Sequence, residues 1–265
     1  MPIWMCPPEL VVPRMATAIT RVPSRRLRSP GAATLVEEPH GTTILAIRYA
    51  DGVIVAGDRL ASAGYEVFHR RVAKVRSVDE FSAVALSGIG GGYIEDVATL
   101  LELELEHYEK VEGEALSVDG KANVLARMVR MNLTTTSAGL RVIPIFAGFD
   151  SRRGEARIFS YDVTGGCYEE FEYAAKGSGG RDARATLKKL YRHQATRSEA
   201  VHAVAEALVD AAEEDLATGP CDFVRDVFPT IGDITRHGYA EVSAMECRRQ
   251  FAAVLSSRAA DAGAC

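Results

Sequence analysis

The chain is expected to fold as an α+β sandwich in which helices cover the outer faces of stacked antiparallel sheets. Three observations lead there. The hydrophobic period switches between two and about 3.6 along the chain, in the order strands, helices, strands, helices, strands. The first strands are joined by tight turns, the mark of hairpins. No internal repeat and no linker marks a second domain, and 265 residues, 47% hydrophobic and 25% charged, suffice for one large core or two small ones. A disordered or fibrous chain is excluded.

The order of elements starts late. Seven of the ten prolines fall within the first 39 residues, a density incompatible with regular helix or central strand. This leader carries five arginines against three acids and leaves the remainder with a net charge of -7. It is Arg-rich like a transit peptide but lacks an apolar h-region, so a removable propeptide or a disordered tail fits as well. Strands then read at residues 42–49 and 53–57 around a turn at Ala50-Asp51-Gly52, with residue 49 opposite 53 and residue 44 opposite Asp58. A second pair spans 70–78 and 81–87 and runs into the glycines at 88 and 90–92. Ile94, Val97, Leu101, Leu105 and Tyr108 make a helical stripe, and a second helix surrounds Val124 and Met128. Strand patterns follow at 142–149, 156–161 and 168–174, helices at 182–193 and 198–215, strands at 223–230 and 239–242, and a last helix at 246–257.

Several function classes are excluded by the same composition. A net charge of -5 argues against nucleic acid, and no run reaches the roughly 18 apolar residues of a membrane span. The five cysteines are odd in number, spread out and never arranged as CxxC, which suggests neither a disulfide framework nor a zinc site and fits a reducing cytosol. The histidines lack metal-ligand spacing, so no metal is expected. The glycines from Gly88 to Gly92 precede a helix, but no Lys-Ser/Thr follows and Tyr93 takes the place of the third dinucleotide-binding glycine. Nucleotide binding is rejected, and no cofactor is expected.

Chemistry concentrates where the leader meets the first strand, at His40-Gly41-Thr42-Thr43-Ile44. Taken alone, Thr-Thr is a β-branched strand start. If the chain is cut after Gly41, however, Thr42 gains an α-amine that titrates near about 7.7–8.0 and can take its own hydroxyl proton. Gly41 suits such a cut because it can take strained backbone geometry. The expected hairpin register puts Asp58 two residues, roughly 7 Å, from Thr42. A carboxylate ending an apolar strand needs a cation, and Lys74, flanked by Val72, Ala73 and Val75, is the candidate. The Gly88 N–H is a candidate donor to a developing oxyanion.

The ordered motifs resemble the β subunit of bacterial proteasomes, N-terminal-threonine hydrolases of the Ntn superfamily, over about residues 40–257. They are Gly41-Thr42-Thr43-Ile44, Gly57-Asp58-Arg59, Lys74-Val75, Ser87 to Gly90, Gly177-Ser178-Gly179, and Asp215-Leu216-Ala217-Thr218-Gly219. The resemblance implies a four-layer α/β/β/α sandwich, a propeptide over 1–41 and a peptidase domain over 42–265. It implies that Thr42 is the nucleophile, Asp58 and Lys74 its partners and Gly88 the oxyanion donor, with Ser178, Asp215 and Thr218 orienting the amine and water. Ala61, Ser62, Val72 and Leu86 would line the substrate pocket and favour apolar side chains. Stacked seven-membered rings with α subunits, an ATPase ring, substrates carrying a ubiquitin-like tag and a cytoplasmic location are further expectations, with no nucleic acid or membrane partner. Two positions depart from the pattern: Leu216 stands where serine is common, and Leu60-Ala61-Ser62 is less polar than in bacterial relatives. The rivals are an inactive ring subunit, which has no need of Thr42, Asp58 and Lys74 together, and a simpler two-component threonine protease, against which the long leader and Gly177-Ser178-Gly179 argue.

Overall fold

The computed structural model describes residues 41–63, 66–89, 91–131 and 141–262. The leader, Gly90 and residues 132–140 lie outside the described residues.

The chain enters the fold at β1 (Thr43–Tyr49) and turns through Ala50 and Asp51 into β2 (Gly52–Gly57). A short hairpin, β3 (Ala61–Ala63) and β4 (Glu66–His69), precedes β5 (Val75–Asp79) and β6 (Ser82–Ile89). Helices α1 (Gly91–Glu112) and α2 (Val118–Met131) lead to β7 (Arg141–Asp150), β8 (Glu155–Tyr161), β9 (Cys167–Glu170) and β10 (Tyr173–Gly177). Helices α3 (Gly180–Leu190) and α4 (Arg197–Glu214), strands β11 (Thr230–Thr235) and β12 (Gly238–Glu241), and helix α5 (Ala244–Ala262) complete it.

Two five-stranded antiparallel sheets result, ordered β10-β1-β2-β11-β12 and β5-β6-β7-β8-β9. Period-two alternation divides their side chains into layers. Leu45, Ile47, Ile54 and Ala56 face α3, α4 and α5; Val84, Leu86, Phe146 and Phe159 face α1 and α2; Ile44, Ala46, Val55, Ala85 and Ile145 pack between the sheets. This is the α+β sandwich that the element order implies, with the four layers that the family resemblance implies.

Four details differ from the sequence reading. The first hairpin closes with two residues rather than three, pairing Tyr49 with Gly52 and Ile44 with Gly57. The pairing shifts by one residue, so Asp58 lies opposite Thr43, with its N–H donating to Thr43 O at 3.1 Å, instead of opposite Ile44. Residues 70–74 are not strand, and the β3–β4 hairpin stands before them. The strand expected at 168–174 is two strands, β9 and β10, in different sheets. The strand expected at 223–230 is a loop closed by a bridge between Asp222 and Val227, with β11 beginning at Thr230. Its aromatic residues serve packing instead, Phe223 edge-on to Phe228 and Phe228 against Phe251.

Candidate active site

Six element ends meet at one corner of the sandwich. Thr42 precedes β1, Asp58 follows β2, Lys74 precedes β5, Gly88 lies near the end of β6, Ser178 follows β10 and Asp215 follows α4. Pairing makes this unavoidable: the start of β1 lies between the ends of β10 and β2, and Leu86 N–H donates to Lys74 O at 2.8 Å, tying β6 to the start of β5.

Asp58 is fully buried and fully satisfied. Its Oδ1 accepts from Thr43 N–H at 2.8 Å and Lys74 Nζ at 2.7 Å, and its Oδ2 from Leu60 N–H and Gly219 N–H, both at 2.9 Å. Lys74, 5% exposed, also donates to Leu60 O at 2.7 Å. Burial pulls its pKa below the ordinary lysine value, and the Asp58 carboxylate pulls back. Leu60 acts here through its backbone, so its apolar side chain removes no polar contact from the pair.

A second group surrounds the Thr42 backbone. Thr42 N–H donates to Ser178 Oγ at 3.0 Å, and Ser178 N–H donates back to Thr42 O at 2.9 Å. Asp215 Oδ2 accepts from Ser178 Oγ and, at 2.6 Å, from Thr218 Oγ1, while Ala217 N–H donates to Oδ1 at 3.1 Å. Leu216 is 96% exposed and takes no part, so a serine is not required at that position to satisfy Asp215.

The Thr42 hydroxyl donates to the Gly41 carbonyl at 2.6 Å. Glycine at 41 also has a steric reason: a Cβ there would collide with Ala217 Cβ and lie 2.8 Å from Ser178 Oγ. Gly177, at φ 98°, leaves room for Thr42 O in the same way, and its missing Cβ would lie 3.0 Å from Ser87 Oγ. That brings Ser87, near the end of β6, close to the Thr42 carbonyl.

A profile of the proteasome subunit family matches residues 38–223, a span that contains every group above. The chain belongs to the proteasome subunit family. Proteins named proteasome subunit beta are 48% identical in Acidimicrobium ferrooxidans, over 87% of this chain and 84% of theirs, and 48% identical in Streptomyces griseus, over 84% and 79%. One from Parafrankia is 44% identical over 89% of this chain and 86% of its own. As a member of that family the chain is a proteasome core subunit with the Ntn sandwich, and no described helix is long and apolar enough to cross a membrane.

Of the residues expected to line the substrate pocket, Ala61, Ser62 and Val72 are half-buried. Leu86 is 3% exposed, within the cluster beneath α1 and α2. Sequence reasoning assigned no role to Thr43. Its side chain is fully buried, its N–H holds Asp58, and its hydroxyl lies 2.6 Å from Thr218 Oγ1. The signal was present: β1 alternation gives residues 43, 45 and 47 one face, and a polar side chain on that apolar face must find a partner. Among the described residues no cluster of His, Cys, Asp or Glu is placed to hold a metal.

Proposed function

We propose that the chain is a threonine endopeptidase, the catalytic β subunit of a bacterial proteasome core, and that its nucleophile is freed by self-cleavage between Gly41 and Thr42. The observation that supports this most is the contact of the Thr42 hydroxyl with the Gly41 carbonyl at 2.6 Å, inside a shell that holds the Thr42 N–H on Ser178. In the uncut chain that nitrogen is an amide and cannot take a proton, so the subunit is latent. Attack of Thr42 Oγ on the Gly41 carbonyl forms an ester as the Gly41–Thr42 C–N bond breaks, and the hydroxyl proton ends on the departing nitrogen, now an amine. Water then releases the segment 1–41 and leaves a free amine.

With the amine free, the peptidase cycle follows. The amine takes the Thr42 hydroxyl proton as Oγ attacks a peptide carbonyl, and the Gly88 N–H meets the oxyanion. The same proton passes to the departing amine as the peptide C–N bond breaks. A water molecule, deprotonated by the amine, cleaves the acyl ester and restores the hydroxyl. The Lys74 ammonium, held by Asp58, favours the neutral amine. Ala61, Ser62, Val72 and Leu86 form the pocket for the residue before the cut and favour apolar side chains; faster cleavage of fluorogenic peptides after acidic or basic residues contradicts that preference. The subunit works in the cytoplasm, in seven-membered β rings stacked between α rings. An ATPase ring feeds it proteins that are unfolded or carry a ubiquitin-like tag.

The test is intact mass after co-expression with a proteasome α subunit. Loss of residues 1–41 from wild type but not from Thr42→Ala is the expected result. An uncut wild-type chain in an assembled ring marks a structural subunit. Trimming of both chains assigns the cut to another protease.

A further inference from the structure

We propose that Thr43 is a positioning residue, whose hydroxyl completes the chain of hydrogen bonds that orients the Thr42 nitrogen; the inference rests on Thr42 being the nucleophile. The direction of every bond in that chain follows from proton counting. Asp215 as a carboxylate only accepts, so Ser178 and Thr218 both donate their single hydroxyl proton to Oδ2. Ser178 Oγ is thereby left as an acceptor and takes the Thr42 N–H. Thr218 Oγ1 is likewise left as an acceptor, and the hydroxyl 2.6 Å away that fills it is that of Thr43. The order is Thr43 to Thr218 to Asp215, met from the other side by Thr42 N–H to Ser178 to Asp215.

The site is built around this pair. Thr43 and Thr218 are both buried, at 0% and 1% exposure, so neither hydroxyl can exchange its partner for bulk water. A Cβ on Gly179 would collide with Thr43 Oγ1 and lie 2.9 Å from Thr218 Oγ1. The two glycines flanking Ser178 therefore have separate tasks: Gly177 admits the Thr42 carbonyl and Gly179 admits the Thr43 hydroxyl. A hydroxyl that accepts a hydrogen bond donates a stronger one, so Thr43 tightens the hold of Thr218 on Asp215 and, through Ser178, the placement of the amine. The Thr43 and Thr218 hydroxyls are buried and bond within this shell, which assigns the effect to turnover rather than to binding.

The experiment compares wild type, Thr43→Val, Thr43→Ala, Thr43→Ser and Thr42→Ala, each assembled with a proteasome α subunit, by kcat and KM on a fluorogenic peptide. Thr43→Val keeps the shape and loses the hydroxyl; Thr43→Ser keeps the hydroxyl and loses the methyl. The expected result is a kcat about tenfold lower for Thr43→Val, the size of one buried hydrogen bond, with KM unchanged and Thr43→Ser within about twofold of wild type. Thr43→Ala gives the same reading if the valine variant does not assemble. Wild-type kcat without the hydroxyl, or an equal loss in Thr43→Ser, overturns the assignment. Wild-type cleavage no faster than that of Thr42→Ala overturns the peptidase reading itself, and Thr43 with it.

Discussion

At the scale of single residues, a methyl group at position 41 decides whether the leader can lie in the site. A Cβ there meets Ala217 Cβ, so Gly41→Ala is expected to leave the full-length chain uncut, and adding Ala217→Gly to restore part of the cleavage; intact mass reads both. Full processing of Gly41→Ala alone contradicts the steric account. Lys74 gives a second test. Lys74→Met leaves Asp58 buried without its cation, a change that costs about 3–5 kcal/mol where no other donors remain. The Thr43, Leu60 and Gly219 N–H groups still hold Asp58, which puts the loss at the lower end. The pH dependence has a definite sign. Because burial lowers the Lys74 pKa, the unfolded chain binds more protons at this position between that lowered value and the ordinary lysine value. Stability supplied through Lys74 then rises with pH across the window. The difference in denaturation midpoint between wild type and Lys74→Met should widen on the alkaline side; a narrowing difference speaks against it.

At the scale of elements, α4 connects a conventional start to a functional end. Thr196 Oγ1 accepts from Glu199 N–H, and the Glu199 carboxylate accepts from Thr196 N–H at 2.7 Å, a capping box; the opposite end stops at Asp215. Thr196→Ala is expected to cost about 1 kcal/mol, a fall in melting temperature of about 2–4 °C, with kcat unchanged. A fall in kcat larger than the lost stability explains would mean that the cap also sets the position of Asp215. Elements such as α4 were legible because the 3.6-residue stripe of Val201, Val204 and Leu208 reports burial directly. The site was legible in its charged members, since Asp58 at an apolar strand end demands a cation and Lys74 supplies one. Register was not: a turn of two or three residues at Ala50-Asp51-Gly52 satisfies the same pattern. Nor was the passage at Phe171 and Glu172, where the chain crosses from one sheet to the other with no change of composition. Residues 223–228 misled because aromatic packing and strand pairing draw on the same residue types.

At the scale of the whole molecule, the layer between the two sheets mixes alanines with larger Val, Ile and Phe side chains. Ala46, Ala83, Ala85, Ala147, Ala156 and Ala174 all belong to the layer between them. A larger side chain there must part the sheets, so Ala85→Leu is expected to lose about 1–3 kcal/mol, seen as a lower denaturant midpoint with unchanged slope. An unchanged midpoint would mean that this layer has spare volume. The candidate site lies at the rim of the sandwich, where strands end. The turn at Ala50 and Asp51 sits at the other end of β1, seven strand residues away, roughly 23 Å from the rim. The hairpin therefore has a loose end and a tight one. An extra residue inserted in the turn lengthens a loop and leaves every pairing in place, whereas one inserted between Gly52 and Asp58 swings the carboxylate to the opposite face and out of reach of Lys74. Changes in chain length can accumulate at the first point without touching the second.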